Sequence, residues 1–260
     1  MRIKDFLSYI YRHTNWFILR AWNFLFAQKR TDFDSKKTPI IINNFNRVSS
    51  LKMQLEAFEK RGYTNIYIID NASTYPPLLE FYNHCKYPVF RLKKNIGFLA
   101  LWETGICKKF RNKYYVYTDS DIIPNENLPE NFLDYFYDLM DKYDASKVGF
   151  ALAIDDIPTC NILKKQIQDW EEKYWINSLE KDVYAAEIDT TFALYRPNVK
   201  RYTDRFGQYI RVGGAYTAKH LPWYNDSNNL SEEEQYYLNQ CRQSKTSSHW
   251  TSALIKKQEL

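Results

Sequence analysis

The chain has 260 residues, 45% of them hydrophobic and 17% aromatic, with only seven glycines. That composition excludes a disordered polymer and suits one large domain with a sizeable core. The formal charge of +5 lies wholly at the start: residues 1–37 carry eight Lys and Arg against three Asp, so the rest is neutral and no nucleic-acid partner is expected.

Those first residues, 1–37, read as a basic amphipathic N-terminal segment. Within it, Phe6, Ile10, Phe17, Ala21 and Leu25 fall on one broad helical face, with Asp5, Ser8, Arg12 and Asn15 opposite. Arg20 interrupts the apolar run, which falls short of the roughly 20 residues needed to cross a bilayer, and no small-residue cleavage site follows. Two readings remain: an interfacial helix in peripheral contact with an anionic membrane, at the inner face of the cell membrane, or a helix packed on the domain. Four scattered cysteines, Cys85, Cys107, Cys160 and Cys241, have neither zinc nor disulfide spacing, so free thiols in a reducing, cytoplasmic setting are expected.

From Thr38 onward short apolar runs alternate with helix-period segments. Strands are expected at 38–43, 64–70, 87–92, 114–119 and 147–153, with helices over 47–61, 76–85, 97–110 and 129–143. Alternation of this kind predicts an α/β fold, a mostly parallel sheet with helices on both faces, over residues 38–250, followed by a C-terminal tail at 251–260. Ligands of such sheets bind beyond the carboxyl ends of the strands, and polar residues collect there. The first strand runs into "NNFNR" (43–47), the second into "DNAS" (70–73) and the third into "KKNIGF" (93–98).

The fourth strand, in "YYVYTDSDIIP" (114–124), ends in Asp119 and Asp121. Side chains two residues apart on extended backbone point the same way, so these carboxylates repel unless something positive sits between them. A divalent cation, Mn²⁺ or Mg²⁺, is the simplest candidate, and a plain turn is the alternative. Single residues elsewhere have equally plain alternatives. Asp70 can cap the turn before Pro76, Asn46 can cap the helix near Arg47, Arg47 can be a surface helix residue, and Lys93 and Asn95 can simply end a strand.

In this order "PIIINNFNR", "IYIIDNASTYPP", "LKKNIGFLALWETG" and "YVYTDSDIIP" resemble the GT-A fold glycosyltransferases, most of all family 2 and related bacterial enzymes that build surface polysaccharides. The resemblance covers roughly residues 38–250. It implies a metal-dependent glycosyltransferase moving a sugar from a nucleotide-diphosphate sugar to a polysaccharide or lipid-linked oligosaccharide acceptor, with inversion. Residues 38–125 would be the nucleotide-sugar-binding half and 126–250 the acceptor half. By the same resemblance Asp70 contacts the base or ribose, and Asp119 and Asp121 form the DxD motif that holds a metal on the pyrophosphate. Asn43, Asn46, Arg47, Lys93 and Asn95 are further donor contacts.

The resemblance also places a catalytic carboxylate at Asp189, chosen over nearby Glu187. Its alternatives are a cap on the following apolar segment or a salt bridge to Arg196 or Arg211. His220, 31 residues after Asp189 (220 − 189), is expected as third metal ligand, with His249 as the other candidate. Trp223 and Tyr224 offer flat faces for a sugar. A nucleotidyltransferase is the rival enzyme class, although "NNFNR" lacks the glycine of a phosphate loop. A noncatalytic nucleotide- or sugar-binding protein would need neither the acid pair nor a base.

Removal of residues 1–30 is expected to weaken sedimentation with anionic liposomes. Unchanged sedimentation would leave only the packed-helix reading of that segment.

Overall fold

The computed structural model describes residues 33–198, 208–244 and 248–258, so residues 1–32 of the amphipathic N-terminal segment lie outside the described residues. The first four expected strands are present as β1 (Ile40–Asn44), β2 (Ile66–Asp70), β3 (Val89–Arg91) and β4 (Tyr115–Asp119). They pair in parallel in the order β3-β2-β1-β4. Ile40, Ile41 and Ile42 are all fully buried because both faces of the sheet are covered. Ile40 and Ile42 face Leu51, Leu55 and Phe58 of helix α1 (Ser49–Glu59), whereas Ile41 shares the opposite face with Leu101, Tyr115 and Tyr117. Helix α2 (Pro76–Asn83) starts where two prolines pre-set the first turn.

The helix expected over 97–110 is broken into single turns. A 3₁₀ turn at Gly97–Leu99 leads into α3 (Ala100–Glu103), and a second 3₁₀ turn follows at Ile106–Lys109. Between them Gly105 takes φ 75°, a left-handed conformation that stops the helix and that glycine adopts without steric cost.

The second half adds β5 (Ile122–Pro124), α4 (Phe132–Lys142), β6 (Ala145–Leu152), α5 (Lys164–Glu171), β7 (Ser178–Glu180), β8 (Val183–Ala185), β9 (Phe192–Tyr195) and β10 (Gln208–His220). Strand β9 runs antiparallel between β4 and β6, and β10 lies parallel to β6, so β1–β4, β6 and β10 share one direction. Antiparallel β5 and β8 pair with β10, which makes the sheet mixed. Helices α6 (Glu232–Ser244) and α7 (His249–Gln258) close the chain. Residues 251–258, expected as a tail, are thus helical, and Leu254 and Ile255 pack against Leu238 and Cys241 of α6.

This order positions a site. Strand β2 lies on one side of β1 and β4 on the other, so the strand order reverses at β1 and leaves a crevice at its carboxyl end. The β1–β4 register sets Asn43 directly opposite Asp119 in that crevice.

One position tests the sheet directly. A Cβ on Gly149 would stand 2.0 Å from the Phe192 carbonyl oxygen in the β6–β9 ladder. Gly149→Ala is therefore expected to lower stability by about 3 kcal/mol, measured by urea denaturation.

Candidate active site

A cavity of about 400 Å³ opens at the carboxyl ends of β1 and β4. Its strand side is built from amides. Asn43 Nδ2 donates to Asp119 Oδ1 at 3.3 Å and to the Gly97 carbonyl at 3.5 Å. Asn71 Nδ2 donates to the same carbonyl at 2.8 Å, while its Oδ1 accepts the Ile96 N–H at 2.7 Å. Asn95 Oδ1 accepts the Gly97 N–H at 2.7 Å. These three asparagines therefore clamp the 95–97 turn against the sheet, with Gly97 at φ 75°.

The two acids are treated unequally. Asp119 Oδ2 accepts from Thr190 Oγ1 at 2.9 Å, and burial, reinforced by the charge of Asp121, pushes its carboxyl well above the ordinary range. Burial also acts to raise Asp121, but His220 and Arg47 overcome it and hold that carboxyl down to about 2. Arg47 Nη1 lies 2.8 Å from Asp121 Oδ2, and His220 Nε2 lies 3.5 Å from the same oxygen. The positive neighbour that the pair requires is thus already present as a guanidinium. Asp121 Oδ1 and His220 Nδ1 remain buried without a protein partner.

Among the described residues no group of three or more His, Cys, Asp or Glu side chains is arranged to hold a metal ion. The donor set nevertheless suits a divalent ion. Two carboxylates and an imidazole are oxygen and nitrogen ligands of the kind Mn²⁺ accepts, and the orphaned Asp121 Oδ1 is a buried acceptor that a cation would satisfy.

The remaining candidates separate into those at the cavity and those that build its frame. Asn43, Arg47, Asn95, Asp119, Asp121 and His220 all line it. Asp70 does not: its Oδ1 accepts the Ser73 N–H at 3.1 Å, the turn-capping arrangement, and burial raises its pKa. Asn46, buried at φ 53°, caps no helix at Arg47. Its Oδ1 accepts from the Thr74 and Tyr75 N–H groups at 2.7 and 3.0 Å and ties down the 71–75 loop. Lys93 is exposed on the strand-end loop and lies outside the lining.

His249 stacks on Trp170 at 5.5 Å and does not line the cavity, so His220 is the histidine beside the acids. Trp223 lines the wall edge-on to His220, at 4.7 Å between ring centroids, whereas the Tyr224 hydroxyl is engaged by Asp156 at 2.6 Å. Asp189 is exposed on the loop before β9, one residue from the Thr190 that bonds Asp119. Arg196 and Arg211 pair with Asp144 and Glu171 rather than with it. Asn71, Thr190 and Glu234 are site residues that sequence reading missed. Only Asn71 carried a signal, as the polar residue directly after β2.

No protein-family model and no curated protein matches the chain. Among solved structures it is similar to S. aureus TarS 1–349, with 15% identity and a TM-score of 0.33 over 45% of this chain and 36% of that one. It is also similar to GalNAc-T7 with UDP, GalNAc and Mn²⁺, with 13% identity and a TM-score of 0.46 over 74% of this chain and 46% of that one. A cytidylyltransferase from Leptospira borgpetersenii serovar Hardjo-bovis (strain JB197) overlaps 52% of this chain and 71% of its own, at 14% identity and a TM-score of 0.34. The chain spans less than half the length of the first two proteins.

The unequal acids make opposite predictions. A carboxyl raised in the fold, as at Asp119, contributes stability below its unfolded value of 3.8 that is lost as pH rises through the folded value. Asp119→Asn should therefore raise the melting temperature near neutral pH, with the gain vanishing below about pH 4. Asp121, held low, contributes stability above its unfolded value that is lost as pH falls toward about 2. Asp121→Asn removes one of the two carboxylates paired with Arg47, leaving it Glu234, and should cost about 1–3 kcal/mol near neutral pH. Melting curves of both variants across this pH range check the pair.

Proposed function

We propose that the chain is a glycosyltransferase that moves a sugar from a nucleotide-diphosphate donor to a glycan or lipid-linked acceptor. The observation that carries this is the register of Asn43 opposite Asp119 at the point where strand order reverses, with Asp121, Arg47 and His220 gathered beside them. Breaking the bond between the anomeric carbon and the diphosphate oxygen leaves negative charge on the diphosphate. Asp119, Asp121 and His220 would hold Mn²⁺ or Mg²⁺, which when bound neutralises that charge as a Lewis acid.

The frame residues act on geometry. Asn43, Asn71 and Asn95 fix the 95–97 turn that borders the donor pocket, while Asp70 and Asn46 fix the neighbouring 70–75 loop. Asp189 takes the proton of the acceptor hydroxyl as its oxygen bonds to the anomeric carbon and the diphosphate leaves, which inverts the centre. Its exposure on the loop next to Thr190 leaves it reachable by an acceptor. A nucleotidyl transfer is less well served, because the 43–47 turn has no glycine to bring backbone N–H groups round a triphosphate. No described helix is long and apolar enough to cross a membrane, and peripheral contact would fall to residues 1–37.

Thermal-shift measurements with nucleoside diphosphates, with and without Mn²⁺, test the donor site. One base type should stabilise the fold by about 2.7 kcal/mol at a hundredfold excess over Kd, and only when metal is present. No shift with any nucleoside diphosphate would overturn the proposal. Asp189→Asn is expected to lower turnover by roughly 10² to 10⁴ with nucleotide affinity unchanged. Lost nucleotide binding would assign Asp189 to structure instead.

A further inference from the structure

The Arg47 guanidinium is shared between carboxylates from distant parts of the chain. Its Nη1 donates to Asp121 Oδ2 at 2.8 Å, and its Nε and Nη2 donate to Glu234 Oε1 and Oε2 at 2.7 and 3.0 Å. The Tyr237 ring, three residues along α6, lies 3.7 Å from the guanidinium carbon. Glu233 accepts from the backbone N–H groups of Val48 and Ser49, so α6 is pinned to the start of α1 right beside Arg47. The side chains of Arg47, Asp121 and Glu234 are only 8%, 9% and 16% exposed, so water screens their interaction little.

A guanidinium presents its donors in a planar fork with two two-nitrogen edges, Nε/Nη2 and Nη1/Nη2, each able to match a carboxylate. Here Glu234 takes the Nε/Nη2 edge. The other edge, Nη1/Nη2, faces Asp121 but reaches only Oδ2, through Nη1, and Asp121 Oδ1 stays buried without a partner. We propose that Glu234 is a positioning residue: by pinning the Nε/Nη2 edge it fixes the guanidinium so that only Nη1 reaches Asp121, which leaves Asp121 Oδ1 for the divalent cation of the proposed transferase, on which this inference rests. Without Glu234 the guanidinium is free to swing toward Asp121, engage both its oxygens and take the place of the cation. Glu234 itself touches neither donor nor acceptor in this scheme.

Mn²⁺ affinity of the full chain, measured by calorimetric titration without nucleotide or acceptor, reads this directly. Glu234→Gln should weaken Mn²⁺ binding by about 10- to 100-fold, and Glu234→Asp, which keeps the charge, should recover part of it. In an Arg47→Met background the same Glu234→Gln change should alter affinity less than about twofold, because no guanidinium remains to turn. Equal Mn²⁺ affinity of Glu234→Gln and the unaltered chain overturns the inference. So does an equal loss with and without Arg47, which would mark general damage and appear as a common drop in melting temperature. If the unaltered chain binds no Mn²⁺, with or without a nucleoside diphosphate, the metal reading fails and this inference with it. Mn²⁺ binding that ignores Glu234 sinks the inference alone.

Discussion

The buried ion pair between Arg47 and Asp121 is the interaction around which the site is arranged. Desolvating two charges costs several kcal/mol each unless every remaining donor and acceptor is met. Arg47 meets that demand with Glu234 and the face of Tyr237. Asp121 meets it only on one oxygen. The imbalance leaves one buried carboxylate oxygen without a protein partner on a residue that lines the cavity.

Asp119, two residues before Asp121 at the end of β4, has no cation of its own, and burial raises its pKa. Two carboxylates at one strand end thus stand in different surroundings, which raise the pKa of Asp119 and lower that of Asp121. The Thr190 hydroxyl and the Asn43 amide hold Asp119 from two different strands' ends. Its orientation consequently depends on the β1–β4–β9 pairing rather than on its own turn.

The same loop is anchored from beneath by cations that no surface would require. Lys147, 1% exposed, donates to the Ile188 carbonyl, and burial draws its pKa down to about 8. Arg211 donates through Nε to the Glu187 carbonyl at 2.7 Å and pairs with Glu171. Backbone at 187–188 is therefore held on both sides of the step that leads to Asp189. Stacked aromatic pairs, Tyr115 on Tyr195 and Phe150 on Phe192, give the underlying β4–β9–β6 sheet its stiffness. The high aromatic content is mostly explained by this core rather than by sugar contacts.

The amino-acid sequence by itself determined the first four strands, the helices between most of them and the place of Asp119 at a strand end, whereas Asp121 lies in the turn that follows rather than on extended backbone. Those follow from local rules: period-two geometry, apolar runs and turn residues act within a few positions. Gly105 shows the limit even locally, since its left-handed φ splits a segment whose apolar spacing alone reads as one helix. Partnership between side chains was decided only by the tertiary structure. Nothing along the chain relates Arg47 to Glu234 across 187 residues, or separates His220, beside Asp121, from His249, stacked on Trp170. Asp70 and Asn46 look like ligand residues in a string of polar strand ends, yet Asp70 Oδ1 and Asn46 Oδ1 accept from backbone N–H groups of the 73–75 loop. The physical reason is common to all of these. A hydrogen bond or ion pair forms across a few ångströms of space, and those distances are set by strand order and helix docking, which residue spacing does not encode.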